Sequence, residues 1–191
     1  MDFNLNNLYQ AFIEISSILK YDINSSTEEI YSKCNEILIS KISKMNLSGY
    51  IFNESIYPVL FLNNSEKNDE YLISFSSLDG IKNLNSNVSI GSIFGIYKFN
   101  REKFTLEKLV LSGYCLYGTK TILVVCNGTL SRQFILDNNK KFILINNINI
   151  SNKNNNLYLI NSSRSYESDI LHLIKSFKRN NYNQRWFGSM V

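Results

Sequence analysis

Apolar residues over the first forty positions recur at helical spacing. Leu8, Phe12, Ile15 and Leu19 follow one another at intervals of four, three and four, so Leu5 to Lys20 reads as an amphipathic helix. The polar stretch Asp22 to Ser26 interrupts it. Ser25 or Ser26 is placed to cap a second helix, running from about Thr27 to Lys44 with Ile30, Ile37, Leu38 and Ile42 inward.

From Tyr57 the period changes. Val59 to Leu62 is a continuous apolar run bounded by Asn63 and Asn64, the pattern of a buried strand. Tyr71 to Phe75, Val88 to Lys98, Leu109 to Tyr117 and Thr121 to Cys126 read as further strands. Arg132 to Leu136 and Lys141 to Asn146 flank the turn sequence Asp137-Asn138-Asn139-Lys140 and predict a hairpin. Asn147 to Asn156 reads as a loop or linker and Leu157 to Ile160 as a short strand. Tyr166 to Phe177 follows as a helix with Ile170, Leu173, Ile174 and Phe177 on one face. Helices first, then many strands, then a fresh strand and helix give an α/β layered fold, with a unit over 1–150 and a second one starting near 151.

Composition narrows the class. The 191 residues (22.1 kDa) are 44% hydrophobic and only 19% charged, below the usual quarter, so amides carry much of the polar surface: there are 28 Asn. With 24 Ile and one Pro, that bias matches AT-rich coding. A net charge of +4 is too mild and unclustered for a dedicated nucleic-acid binder. Three cysteines (Cys34, Cys115, Cys126) without a CxxC pair argue against a disulfide framework or a zinc site and fit a reducing compartment. The single His172, on a helix, excludes mechanisms that need two imidazoles and reads as a surface group. Cys115 and Cys126 read as small core residues in strands. Gly91, Gly95, Gly113 and Gly118 make no phosphate cradle and read as strand glycines where backbones pass closely. No apolar run approaches a membrane span and no leader is visible, so the expectation is a soluble cytoplasmic chain.

Three ordered stretches carry more. Ser76-Ser77-Leu78-Asp79-Gly80-Ile81-Lys82-Asn83 leads into Val88-Ser89-Ile90-Gly91-Ser92-Ile93-Phe94-Gly95-Ile96-Tyr97. Leu111-Ser112-Gly113-Tyr114-Cys115-Leu116-Tyr117-Gly118 follows. The chain resembles the class I fructose-1,6-bisphosphatase family, whose Asp-Pro-Leu-Asp-Gly-Ser-Ser-Asn turn precedes a Val-Ser-x-Gly-Thr-Ile-Phe-Gly-Ile-Tyr strand and a Gly-Tyr-x-Leu-Tyr-Gly segment. The resemblance implies that family's sugar-phosphatase fold: a first sheet with two N-terminal helices, then the start of a second α/β layer. It also implies a chemistry, removal of a sugar 1-phosphate with carboxylate-held Mg²⁺. The metal neutralises the phosphate and activates the attacking water, and it demands hard oxygen ligands.

Matched position by position, the resemblance makes Asp79 the second Asp of that turn and Leu78 the residue offering a backbone carbonyl to the metal. Ser76 stands where the first Asp would be. The family's paired Glu falls on Glu66-Lys67 or on Asn63-Asn64, so Glu66 is the other candidate ligand in one alignment only. A helix-two Asp falls near Tyr31, and a last metal-binding Glu falls past Val191. The two phosphate-holding Ser are Ile81 and Lys82, of which Lys82 keeps a charge for phosphate. Asn161 matches a 6-phosphate contact, Arg164 stands for a nearby Tyr, and Arg185 matches an Arg that reaches a neighbouring subunit's site. Trp186 stands for a phosphate-binding Tyr, and Met190 matches a residue lining the sugar pocket. Glu70-Tyr71 and Lys98 replace an AMP-binding set poorly, so no AMP site is expected.

The expectation is a degenerate, C-terminally short member that has lost Mg²⁺-dependent phosphatase activity. It would act as a structural or regulatory binding subunit, holding sugar phosphate weakly through Lys82, Asn161 and Arg185. It would bind no resident cofactor, with Mg²⁺ the only candidate, and neither nucleic acid nor membrane. Apolar surface on a short second unit predicts a homo-oligomer or hetero-complex through residues 170–191. The alternative is an active fructose-1,6-bisphosphate 1-phosphatase with a reduced metal site.

Overall fold

The structure, a computed structural model, describes residues 4–22, 24–45, 47–53, 56–62 (backbone only), 70–86, 88–149, 156–161 and 164–185. Helix α1 (Asn6–Tyr21) buries Leu8, Phe12 and Ile15 of the predicted stripe and Ala11 and Ile13 beside them, with Leu19 half-buried at its edge. Helix α2 (Thr27–Ile42) starts from a complete capping box. The Glu29 amide donates to Ser26 Oγ, and the Ser26 amide donates to the Glu29 carboxylate, so two donors of the helix end are satisfied reciprocally. Of the predicted inward set, Ile30, Leu38 and Ile42 are buried and Ile37 is half-buried. Cys34 and Asn35 complete the inward face.

Eight strands form one sheet: β1 (Gly49–Asn53), β2 (Ile56–Leu62), β3 (Glu70–Asp79), β4 (Ile90–Asn100), β5 (Thr105–Tyr117), β6 (Ile122–Cys126), β7 (Ser131–Leu136) and β8 (Phe142–Ile148). Their order is β2-β1-β3-β4-β5-β6-β7-β8, and every neighbouring pair is antiparallel except β1 with β3. The strand region opens at Gly49 rather than Tyr57. The apolar run through Val59 to Leu62 lies in β2 at the sheet's edge rather than in its middle, and an edge tolerates Pro58. The Asp137 turn closes the expected hairpin: the Lys141 amide donates to Asp137 Oδ1 at 2.8 Å. Strand β8 continues to Ile148, into the segment read as loop.

Both helices cover one face of this sheet. Phe12 meets Phe94 with ring centroids 5.7 Å apart, Tyr9 lies on Phe134 and Phe142, and Ser16 Oγ is 2.7 Å from Thr121 Oγ1. A buried amide pair, Asn53 Nδ2 donating to Asn35 Oδ1 at 2.9 Å, ties β1 to α2. Gly113 does mark a close approach: a Cβ there would sit 2.3 Å from the Val124 carbonyl oxygen and under 3 Å from the Phe94 ring. Gly118 differs from expectation: it lies past the end of β5, where a Cβ would meet only the Lys120 carbonyl oxygen, at an ordinary 3.9 Å.

Beyond residue 156 a separate two-stranded parallel sheet pairs β9 (Leu157–Leu159) with β10 (Asn183–Arg185), and helix α3 (Ser168–Arg179) lies between them in sequence. Tyr158 stacks on Phe177 at 5.1 Å, and Phe177 on Tyr182 at 5.2 Å. Of the apolar face predicted for α3, Ile174 is buried and Phe177 half-buried, while Ile170 and Leu173 stay exposed. Among the described residues no helix is long and apolar enough to cross a membrane.

Candidate functional site

The C-terminal end of β3 breaks the rhythm of its own strand. Along β3 buried and half-buried residues alternate until Ser77 and Leu78, which are both buried. The ladder explains it: Ser76 pairs with Ile93, but Asp79 pairs with Gly91, so β3 advances three residues where β4 advances two. An inserted residue of this kind is a β-bulge, and bulges re-aim the side chains that follow. Asp79 therefore emerges half-buried at the lip of the sheet, immediately before Gly80, whose φ of +78° an L side chain adopts only with strain. The 3-10 turn Ile81–Ser86 follows and is held at both ends. The Asn83 amide donates to the Gly80 carbonyl at 2.8 Å, and Asn83 Nδ2 donates to the Ser89 carbonyl at 2.9 Å. Lys82 is exposed on this turn. The Leu78 side chain belongs to the core at 2% exposure, which leaves only its backbone for any ligand.

A buried polar group lies beneath the bulge. The Ser92 hydroxyl, on β4, donates to the Ser77 carbonyl at 2.6 Å and lies 2.7 Å from the Tyr117 hydroxyl on β5. The Cys115 thiol makes a hydrogen-bond contact with the same phenol. Burial drives the Tyr117 phenol and the Cys115 thiol far above their ordinary values and pushes the Cys34 thiol up to about 12. Burial of this kind disfavours the thiolate at both cysteines. Cys126 departs from the core reading: it is half-exposed at the end of β6. Hydrogen bonds from the Ser131 side chain and the Gly128 amide hold its thiol below the ordinary value.

Two further predicted residues meet elsewhere. Asn161 and Arg185 both stand at the C-terminal ends of the parallel pair, since Leu159 is in register with Arg185 and Asn161 lies two residues beyond it. The Asn161 carbonyl accepts from the Tyr166 hydroxyl at 2.7 Å and from the Arg164 amide at 3.2 Å. The Arg185 guanidinium donates to the Gln184 carbonyl at 3.0 Å, and Gln184 Nε2 donates to the Ile160 carbonyl at 2.9 Å. Leu78, Asp79 and Lys82 thus share one turn, Asn161 and Arg185 share another strand end, and the two groups belong to different sheets. Glu66, with Lys67 and the Asn63-Asn64 alternative, lies outside the described residues, as do Trp186 and Met190. His172 is exposed on α3.

Sequence reasoning missed Ser77, Ser92 and Tyr117. The available signal was a hydroxyl at the inward-facing position 92 of an otherwise apolar strand, where a buried polar group requires a partner.

A Mg²⁺ ion takes about six hard oxygens. Among the described residues, no three of His, Cys, Asp and Glu come together to hold a metal ion. The turn itself offers the Asp79 carboxylate and backbone carbonyls, a donor set that does not fit a cluster of cations.

With a pair of helices on one face of a mixed sheet and a bulged turn at the end of β3, the chain belongs to the fructose-1,6-bisphosphatase family. The sequence profile described as "Fructose-1-6-bisphosphatase, N-terminal domain" matches residues 27–147. Over 173 residues the chain is 31% identical to "Fructose-1,6-bisphosphatase class 1" of Sulfurihydrogenibium, covering 82% of this chain and 51% of that protein. Over 217 residues it is 30% identical to "Fructose-1,6-bisphosphatase 1" of Rattus norvegicus, covering 98% of this chain and 60% of that one. The crystal structure of Leishmania major fructose-1,6-bisphosphatase in its holo form superposes with a TM-score of 0.84 at 25% identity, over 96% of this chain and 64% of that chain. The α/β layered fold is therefore that of the family. The chain spans between half and two thirds of the length of these relatives.

Proposed function

We propose that this chain is a fructose-1,6-bisphosphatase-family protein that binds sugar phosphate by charge without metal-dependent turnover, and serves as a structural or regulatory subunit. One observation carries the reading: the chemistry of the turn at the end of β3. Positions 76, 79, 81 and 82 are Ser, Asp, Ile and Lys, where the resemblance implies Asp, Asp, Ser and Ser. One carboxylate and one ammonium occupy a turn that would otherwise present two carboxylates to metal and two hydroxyls to phosphate. A cation there loses an anionic ligand and meets the Lys82 charge nearby. A phosphate loses hydroxyl donors but keeps an attractive point charge. Asn161 and Arg185 add a neutral donor and a second positive charge at the other strand end. Calorimetric titration tests the reading. Fructose 1,6-bisphosphate should bind weakly and to the same extent with and without Mg²⁺, and Mg²⁺ alone should give no saturable heat. Tight Mg²⁺ binding that strengthens sugar-phosphate binding would overturn it.

The second reading is an active fructose-1,6-bisphosphate 1-phosphatase with a reduced Mg²⁺ site. It is favoured by the relatives themselves, which carry that enzyme's name at 30–31% identity. Under either reading the chain works beside a partner, a second copy or another protein, through its C-terminal region. The exposed Leu157 and Leu159 on β9 and Leu171 and Leu173 on α3 support this, since apolar surface of that kind marks contact sites. Light scattering that returned a monomer at all concentrations would contradict it. Three free thiols and a relative named as cytosolic in Arabidopsis thaliana support a reducing, cytoplasmic location.

A further inference from the structure

We infer that the buried chain of groups from Tyr117 through Ser92 to the Ser77 carbonyl is a positioning device for the turn that carries Asp79. The direction of its protons follows from valence. Ser92 has one hydroxyl proton, and the Ser77 carbonyl, 2.6 Å away, can only accept, so that proton is committed. The Tyr117 hydroxyl, 2.7 Å from Ser92 Oγ, must then be the donor of the second bond. Tyr117 donates to Ser92, and Ser92 donates to Ser77.

The place where this chain ends gives it its role. Ser77 and Leu78 fall between the paired positions Ser76 and Asp79, at the bulge, where the ladder with β4 is interrupted. A side chain of β4 reaches across and supplies the Ser77 carbonyl with a hydrogen bond at that interruption. The donor is itself fixed from β5: Ile90 is in register with Tyr117 and Ser92 with Cys115, so the phenol reaches diagonally, two residues along β4, to its acceptor. Two residues past the held carbonyl stands Asp79. The anchor uses the backbone of Ser77 and not its side chain, because Ser77 Oγ is fully buried and has no hydrogen-bond partner. That asymmetry supplies an internal control. Ser92 and Tyr117 are positioning residues, and the Ser77 hydroxyl is dispensable.

The inference rests on the proposed function only for why the turn matters, and its test needs no ligand. Amide hydrogen exchange is measured on the full chain and on Ser92→Ala, Ser92→Thr, Tyr117→Phe and Ser77→Ala. Ser92→Ala removes both hydrogen bonds of the chain and Tyr117→Phe the one between Tyr117 and Ser92, so exchange of amides 77–86 should speed at least on the order of tenfold in each. Amides of β6 to β8 and of α3 should be unchanged. Ser92→Thr keeps the hydroxyl and should exchange as the parent does, and so should Ser77→Ala. If Ser92→Ala does not fold, Tyr117→Phe, which removes only one oxygen, carries the test. Unchanged exchange over 77–86, or acceleration spread evenly through the sheet, would overturn the inference. A separate titration of the parent with fructose 1,6-bisphosphate decides the proposed function, so loosened turn amides without sugar-phosphate binding would sink that reading alone.

Discussion

The eight-stranded sheet and the β9–α3–β10 unit bury apolar side chains to different depths. Under α1 and α2 the sheet holds a continuous core in which Phe12, Ile15, Leu38, Ile51, Ile96 and Leu123 are fully enclosed. In the second unit Tyr158 and Ile174 are buried, whereas Leu159 is 72% and Leu173 53% exposed. The helix starts do not follow that division: Ser26 caps α2 with a reciprocal pair of hydrogen bonds, while neither Leu5 at α1 nor Glu167 at α3 makes a side-chain cap bond. The sheet carries its stability internally, and the second unit is a thin layer whose apolar residues still face outwards.

The largest test of this contrast is a pair of truncations. Phe12→Ala should cost about 3–5 kcal/mol, since a fully enclosed ring is removed from its packing on Phe94. Leu173→Ala should stay within about 0.5 kcal/mol, as exposed substitutions do. Urea unfolding of both variants checks the ratio, and comparable costs would break the comparison.

Alkali should separate the two regions as well. Cys34, Cys115 and Tyr117 all have folded-state values raised by burial, and all three belong to the core of the large sheet and its helices. A raised value means that the folded state resists ionisation. The stability it confers is complete below the unfolded thiol value near 9.0 and declines as pH climbs towards about 12. Urea midpoints followed by far-ultraviolet dichroism should therefore fall steadily above pH 9, and Cys34→Ala should flatten part of that fall. An unchanged midpoint up to pH 11 would contradict the burial argument.

Smaller effects follow at the helix starts. Ser26→Ala should cost about 1 kcal/mol by releasing the capped amides of α2. Glu167→Ser should gain up to about 1 kcal/mol at α3, where a cap is missing, visible as slower amide exchange in its first turn.

Much of the framework was legible in the sequence. The period of Leu8, Phe12, Ile15 and Leu19 located α1, and Ser25 or Ser26 marked the start of α2, of which Ser26 is the cap. Asp137 to Lys140 carried the hairpin. What escaped was physically local. Strand β1 ends in Asn53, a residue that reads as loop, yet its amide is buried and satisfied by Asn35 across the helix–sheet boundary. Strand β10 is Asn-Gln-Arg and carries no apolar alternation to announce it. The bulge in β3 is a matter of register with β4, which no single strand reveals. At the site, the motifs placed Asp79 and Lys82 on one turn, and residue type alone exposed the substitutions at 76, 81 and 82. The support beneath that turn depends on three strands converging, so Ser92 and Tyr117 stayed hidden within apolar runs.

The proposal that the turn at the end of β3 holds no catalytic metal is tested most directly by phosphate release. Purified chain is incubated with fructose 1,6-bisphosphate across a range of Mg²⁺ concentrations, beside Ser76→Asp and Asp79→Ala. No Mg²⁺-dependent release is expected from the parent and none from Ser76→Asp, because one restored carboxylate does not rebuild a ligand shell. Metal-dependent turnover by the parent that disappears in Asp79→Ala would contradict the proposal, and would make Asp79 a working ligand.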